Sequence, residues 1–217
     1  MTTDEMYQYA YNKEPQLLYV SGKTCTGKTN FSKRLSASSG YRVIELDKVV
    51  LEAIVNPFDL QGSQGDVFLS VYKTADNAGW IDIFVTEAQK RIKDLLMRSK
   101  KVIIDGAVAN PTIMQKIFDG LPEVLCIYFH PLEASPNYQR NLTNRFKDTT
   151  AQNENGLPKA FWECINKESF ARFCSDRSIT PELEQGIRLY AQRSSQESVV
   201  RLGTLQKSFP HIMVVEV

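Results

Sequence analysis

Residues 21–31 read SGKTCTGKTNF and follow the apolar run QLLYV at 16–20. Gly22-Lys-Thr-Cys-Thr-Gly27-Lys28-Thr29 satisfies the pattern G-x-x-x-x-G-K-[ST] at every fixed position. Gly22 and Gly27 let the backbone aim successive N–H groups into one concavity. An apolar strand precedes the stretch, and a helix with Phe31 and Leu35 on one side follows it. That helix adds its positive N-terminal end. Lys28 can reach β- and γ-phosphates, and the Thr29 hydroxyl can ligate Mg²⁺. Lys23, Thr24, Cys25 and Thr26 fill the arch, where the backbone does most of the binding. The stretch is thus expected to cradle phosphate; the plainer alternative is a glycine-rich turn.

Outward from the loop, short apolar runs alternate with longer amphipathic segments. QLLYVS (16–21), YRVIEL (41–46), KVIID (101–105), EVLCIYF (123–129) and HIMVVEV (211–217) read as five strands. Ile81, Phe84, Val85, Ala88, Ile92, Leu95 and Leu96 recur at helical spacing. Residues 181–205 predict another helix, with a possible break, and the first 14 residues a loose arm or short helix. Strands separated by helix-sized connections imply a mostly parallel sheet covered on both faces. The polar stretches 148–158 and 56–66 read as loops inserted into one domain spanning 1–217.

Composition is that of an ordinary globular chain: 42% hydrophobic, 24% charged, net charge +1. Nothing global suggests nucleic acid as a partner. The six Lys and Arg of 90–101 lie opposite an apolar stripe and read as a solvated face. Cysteines 25, 126, 164 and 174 form no CxxC pair, and His130 and His211 are the two histidines, which argues against structural zinc. No run approaches the roughly 18 apolar residues of a membrane span. The N-terminus lacks the pattern of a secretory signal. The expectation is a soluble cytoplasmic protein of unspecified oligomeric state.

Gly22–Thr29 resembles the Walker A loop of P-loop proteins, which implies ATP or GTP with Mg²⁺. A GTPase would carry N-K-x-D, but Asn166-Lys167-Glu168-Ser169 lacks the Asp. Size and remaining motifs look like the small-molecule kinases of this superfamily. The implied fold is α/β, a P-loop kinase-like three-layer αβα arrangement with a five-stranded, mostly parallel sheet and a lid insertion.

Asp47, at the end of the second strand, resembles the acidic residue of shikimate-kinase-like, zeta-toxin-like and polynucleotide-kinase-like proteins. The resemblance implies that it holds or deprotonates the acceptor hydroxyl; the alternative is a helix cap. Asp105-Gly106 closes the third strand and resembles a Walker B element, or the Asp-Gly of nucleoside monophosphate kinases. That resemblance implies a role toward Mg²⁺, although the D-G-F-P-R continuation is absent. Arg140 and Arg145 precede the polar loop, where such kinases carry arginines on a helix leading to a lid (138–158). Arg172 and Arg177 have weaker context. Phe58, Phe68, Tyr72, Trp80 and Trp162 could stack on a base, or belong to the core. Residues 56–80 are expected to shape the acceptor side.

The implied function is an ATP- and Mg²⁺-dependent phosphotransferase acting on a hydroxyl of a small molecule. The alternatives are a nucleoside or nucleotide kinase and a non-catalytic nucleotide-dependent switch.

Overall fold

The computed structural model describes every residue except 134, 151–156 and 210. The predicted loop at 148–158 therefore falls partly outside the described residues.

The five predicted strands form: β1 (Leu17–Gly22), β2 (Arg42–Glu45), β3 (Val102–Asp105), β4 (Val124–His130) and β5 (Ile212–Glu216). They make one sheet in the order β2-β3-β1-β4-β5. Every pairing is parallel, with Leu17 in register with both Val102 and Val124. The loop-bearing β1 thus lies at the centre.

Ten α-helices occur among the described residues: α1 (Thr3–Lys13), α2 (Lys28–Ser39), α3 (Leu46–Val50), α4 (Gln64–Leu69), α5 (Ala78–Ser99), α6 (Pro111–Phe118), α7 (Pro136–Lys147), α8 (Lys159–Trp162), α9 (Lys167–Asp176) and α10 (Pro181–Ser208). A burial pattern without alternation explains the continuous apolar strand runs, since both faces of the sheet are covered. On one face Leu18, Val20, Ile103, Ile127 and Phe129 pack against Met6 and Ala10 of α1 and Phe31 and Leu35 of α2. On the other, Leu17, Tyr19, Ile104, Cys126 and Tyr128 pack against α3, α5, α6 and the end of α10. This is the three-layer α/β fold expected from the sequence.

A third cluster lies beyond the sheet. Tyr138, Leu142 and Phe146 of α7 meet Phe161, Phe173, Leu183, Ile187 and Tyr190. Trp162 belongs to the same cluster. Helix α10 runs unbroken over 28 residues, capped by the Thr180 hydroxyl, which accepts from Leu183 N. Its N-terminal half serves this cluster and its C-terminal end serves the sheet.

The N-terminal segment takes the helical of its two expected forms, and 56–66 departs from the sequence reading. The first residues form a defined helix closed by a capping box between Thr2 and Glu5. The predicted loop at 56–66 is a turn, a 3₁₀ turn and the start of α4. Leu51–Val55 and Ser70–Thr74 are single π-helical turns, a geometry with no sequence period of its own. Among the described residues no helix is long and apolar enough to cross a membrane.

Candidate functional site

The loop after β1 opens at the carboxyl edge of the sheet. Gly22 has φ 145°, and a Cβ there would lie 2.4 Å from the carbonyl oxygen of Phe129. Glycine is therefore required where β1 leaves β4. Gly27 caps α2 at φ 92°, a second position that disfavours side chains. Cys25 takes φ 64° at the crest of the arch.

Lys28 curls over the loop, and its Nζ donates to the carbonyl of Lys23 at 2.7 Å. The Thr26 hydroxyl donates to the same carbonyl at 2.8 Å. Packing around Lys28 pushes its pKa below the ordinary lysine value, while the Asp105 carboxylate pulls it back up. Burial likewise raises the pKa of Asp105, against the pull of Lys28 and the Thr29 hydroxyl. Asp105 is 7% exposed, and its Oδ2 has no hydrogen-bond partner among the described residues.

That orphaned oxygen beside Thr29 tests the fit for a divalent cation. Among the described residues no group of three or more His, Cys, Asp and Glu is placed to hold a metal. One carboxylate and one hydroxyl suit Mg²⁺, which keeps several waters and takes further oxygens from phosphates. The donor set fits.

Asp47 stands in the first turn of α3, beyond the Glu45 cap position, and makes no cap. Its Oδ1 instead accepts from the Tyr72 hydroxyl at 2.7 Å. Tyr72 is itself held by the β3–α6 connection: its carbonyl accepts from Ala109 N at 2.8 Å and Asn110 N at 3.0 Å. Glu45 accepts from Lys48 Nζ at 2.9 Å.

Together these groups line a cleft of about 500 Å³. Gly22, Thr24, Cys25, Gly27, Lys28 and Thr29 form its floor, and Glu45, Asp47, Asp105, Gly106 and Ala107 one wall. Asn141, Asn144, Arg145 and Asp148 of α7 and its end form the other. Asn141 Nδ2 donates to the Cys25 carbonyl at 3.2 Å and ties α7 to the arch. The Cys25 thiol is pushed up to about 11 by burial, with Arg145 and Lys28 opposing.

The structure separates the two arginines of α7. Arg145 lines the cleft, whereas Arg140 donates to Asn137 Oδ1 at 2.9 Å on the outer side. Positions 141, 144, 145 and 148 follow helical spacing beside the buried stripe of Tyr138, Leu142 and Phe146, so the polar stripe was readable from the sequence. Arg177 donates to the Thr149 carbonyl, away from the floor of the cleft.

Lys23 and Thr26 lie outside the lining. The Lys23 ammonium pairs with Glu197 Oε2 of α10 at 2.5 Å. Glu197 accepts from Arg193 Nε at 3.0 Å, and Arg193 pairs with Glu163 at 2.9 Å. One turn further along α10, Arg201 Nη2 donates to the carbonyls of Ala107 and Val108. No sequence pattern marks these residues, which are joined by tertiary packing alone.

No family model and no curated protein matches this chain. Solved structures similar to it include two shikimate kinases and an uncharacterized protein. A shikimate kinase from Acinetobacter baumannii, in complex with shikimate, shares 12% identity over 95% of this chain and 86% of that one, with TM-score 0.40. A shikimate kinase from Bacteroides thetaiotaomicron shares 15% over 88% and 97%, with TM-score 0.38. An uncharacterized protein from Eubacterium ventriosum shares 8% over 93% and 90%, with TM-score 0.40.

Proposed function

We propose that this chain is an ATP- and Mg²⁺-dependent phosphotransferase that moves the γ-phosphoryl to a hydroxyl of a small molecule. The observation that supports it is the meeting of Lys28, Thr29, Asp105 and Asp47 in one cleft above the loop. In this reading the loop amides and Lys28 hold the phosphates. Thr29 and Asp105 would hold Mg²⁺, which neutralises charge on the phosphate oxygens. Asp47 has one oxygen fixed by Tyr72 and presents the other to the acceptor O–H. As the acceptor oxygen bonds to phosphorus, its proton passes to Asp47 and the bond to the leaving diphosphate breaks. Arg145 stabilises the charge that develops. Arg140 would join it only if α7 moved.

Two measurements on the purified protein test the proposal. Calorimetric titration with Mg-ATP should show binding to the native chain and its loss in Lys28→Ala. Asp47→Asn should bind Mg-ATP as the native chain does, yet release ADP in the presence of acceptor about 100-fold more slowly, as expected for a missing general base. Unchanged nucleotide binding in Lys28→Ala would sink the proposal.

A further inference from the structure

Resting on the phosphotransferase reading, we infer that Arg201 of α10 is a positioning residue: it sets Asp105 and Asp47 by holding the chain that connects β3 to α6. Arg201 does not itself line the cleft.

The connection begins at Gly106, directly after Asp105, and is seated on several sides. Gly106 N donates to the Val20 carbonyl of β1 at 3.1 Å. Gly106 also lies so close to α3 that a Cβ there would stand 2.7 Å from Leu46 Cδ1, and Leu46 adjoins Asp47. Further on, Ala109 N and Asn110 N donate to the carbonyl of Tyr72, whose hydroxyl holds Asp47 Oδ1. Between these points stand Ala107 and Val108. Both carbonyls accept from Arg201 Nη2, that of Val108 at 3.0 Å. The Tyr19 hydroxyl adds a bond to the Val108 carbonyl at 3.3 Å. A shift of Ala107 and Val108 therefore reaches Asp105 on one side and the Tyr72 anchor of Asp47 on the other.

Stability alone is a poor account of an arginine at this place. The oxygens it meets are the two carbonyls and, at 3.4 Å, the Ser21 hydroxyl; among the described residues no carboxylate pairs with it. Its buried Nε has no hydrogen-bond partner among the described residues. A partly buried cation without a counter-ion and an orphaned N–H both cost free energy that an apolar side chain would avoid. What the guanidinium supplies is a pair of charge-assisted hydrogen bonds to neighbouring carbonyls, which are stronger than neutral ones. Its charge also reaches the phosphate loop. Packing lowers the pKa of Lys28, Asp105 opposes this, and Arg201 adds to the lowering.

The test replaces Arg201 in the full chain with lysine and with methionine. Arg201→Lys keeps the charge and a donor on a shorter reach, whereas Arg201→Met keeps apolar bulk alone. Calorimetric titration measures ATP binding with Mg²⁺ and with EDTA, and urea unfolding records how much of each protein is folded. Loss of a group that orients a metal-binding carboxylate weakens metal affinity by about 10- to 100-fold. The advantage of Mg-ATP over metal-free ATP should thus shrink about tenfold in Arg201→Met and about threefold in Arg201→Lys. Metal-free ATP should bind both variants as it binds the native chain. ADP release from Mg-ATP with water as acceptor should fall in the same order. A purely structural role would lower the urea midpoint and leave the binding ratio of the folded protein unchanged. That result overturns the role of Arg201 and leaves the phosphotransferase reading standing. Equal ratios in the two variants would assign the effect to packing and overturn it as well. Should Arg201→Met not fold, an unchanged ratio in Arg201→Lys is sufficient to overturn it. Absence of Mg-ATP binding by the native chain removes the phosphotransferase reading and the role of Arg201 together.

Discussion

Tyr72 belongs to no motif, yet its hydroxyl fixes one oxygen of Asp47 and its carbonyl receives two backbone amides from the β3–α6 connection. It is buried, and desolvation pushes its phenol well above the ordinary value, so it stays a neutral donor. Tyr72→Phe keeps the ring packing and deletes the hydrogen bond. Such bonds to a charged partner contribute about 1.5–3 kcal/mol. We expect kcat of the transfer to fall by about 10- to 100-fold, with Mg-ATP affinity unchanged; steady-state kinetics beside a nucleotide titration reads both. Nothing in the sequence distinguished Tyr72 from Phe68 or Trp80. Its role arises when a π-helical turn delivers it to the end of β2, and such turns leave no periodic trace. Gly22 and Gly27 were legible because the turn they make, at φ 145° and 92°, demands glycine.

At the scale of elements, strands and loop were readable, but the partners of α10 were not. The central apolar runs became strands because a parallel sheet buried on both faces leaves little room for polar residues, as β1 and β3 show. In α10, Gly186 packs so closely that a Cβ would lie 2.4 Å from the Cys164 carbonyl oxygen. Helix propensity alone favours alanine over glycine by about 1 kcal/mol. Overpacking against backbone opposes this with about 1–3 kcal/mol. With a carbonyl as the obstacle, the clash should win. Gly186→Ala is expected to lower the urea midpoint, and an increase would show that the turn after α8 can move aside. Asn141, Asn144, Arg145 and Asp148 could have been found by helical spacing. Attention to arginine as a residue type singled out Arg140, one position off the stripe.

Across the whole molecule, α10 is joined to the sheet through a buried polar link. Ser198 Oγ lies 2.8 Å from both the Tyr128 hydroxyl and His130 Nδ1. Partial burial lowers the pKa of His130, against the pull of Glu216. The folded chain therefore resists a proton that the unfolded chain accepts below about pH 6.5. His130 should cost stability as pH falls through that value and contribute no pH dependence above it. Urea unfolding at pH 7.5 and 5.5 should show the loss, and His130→Asn should reduce it. An undiminished loss in that variant would assign the effect to other groups.

The central position of β1 bears on how the chain is made. Leu17 pairs with Val102 and Val124, which are 85 and 107 residues further along. Until β3 has been synthesised, the loop after β1 has no neighbouring strand on either side. Its arch becomes shaped only after β3 and β4 emerge, because Gly22 is seated against Phe129. Long-range parallel pairing of this kind slows folding and leaves nascent apolar strands exposed. The loop is thus translated before both strands that flank β1 and takes its shape only after them.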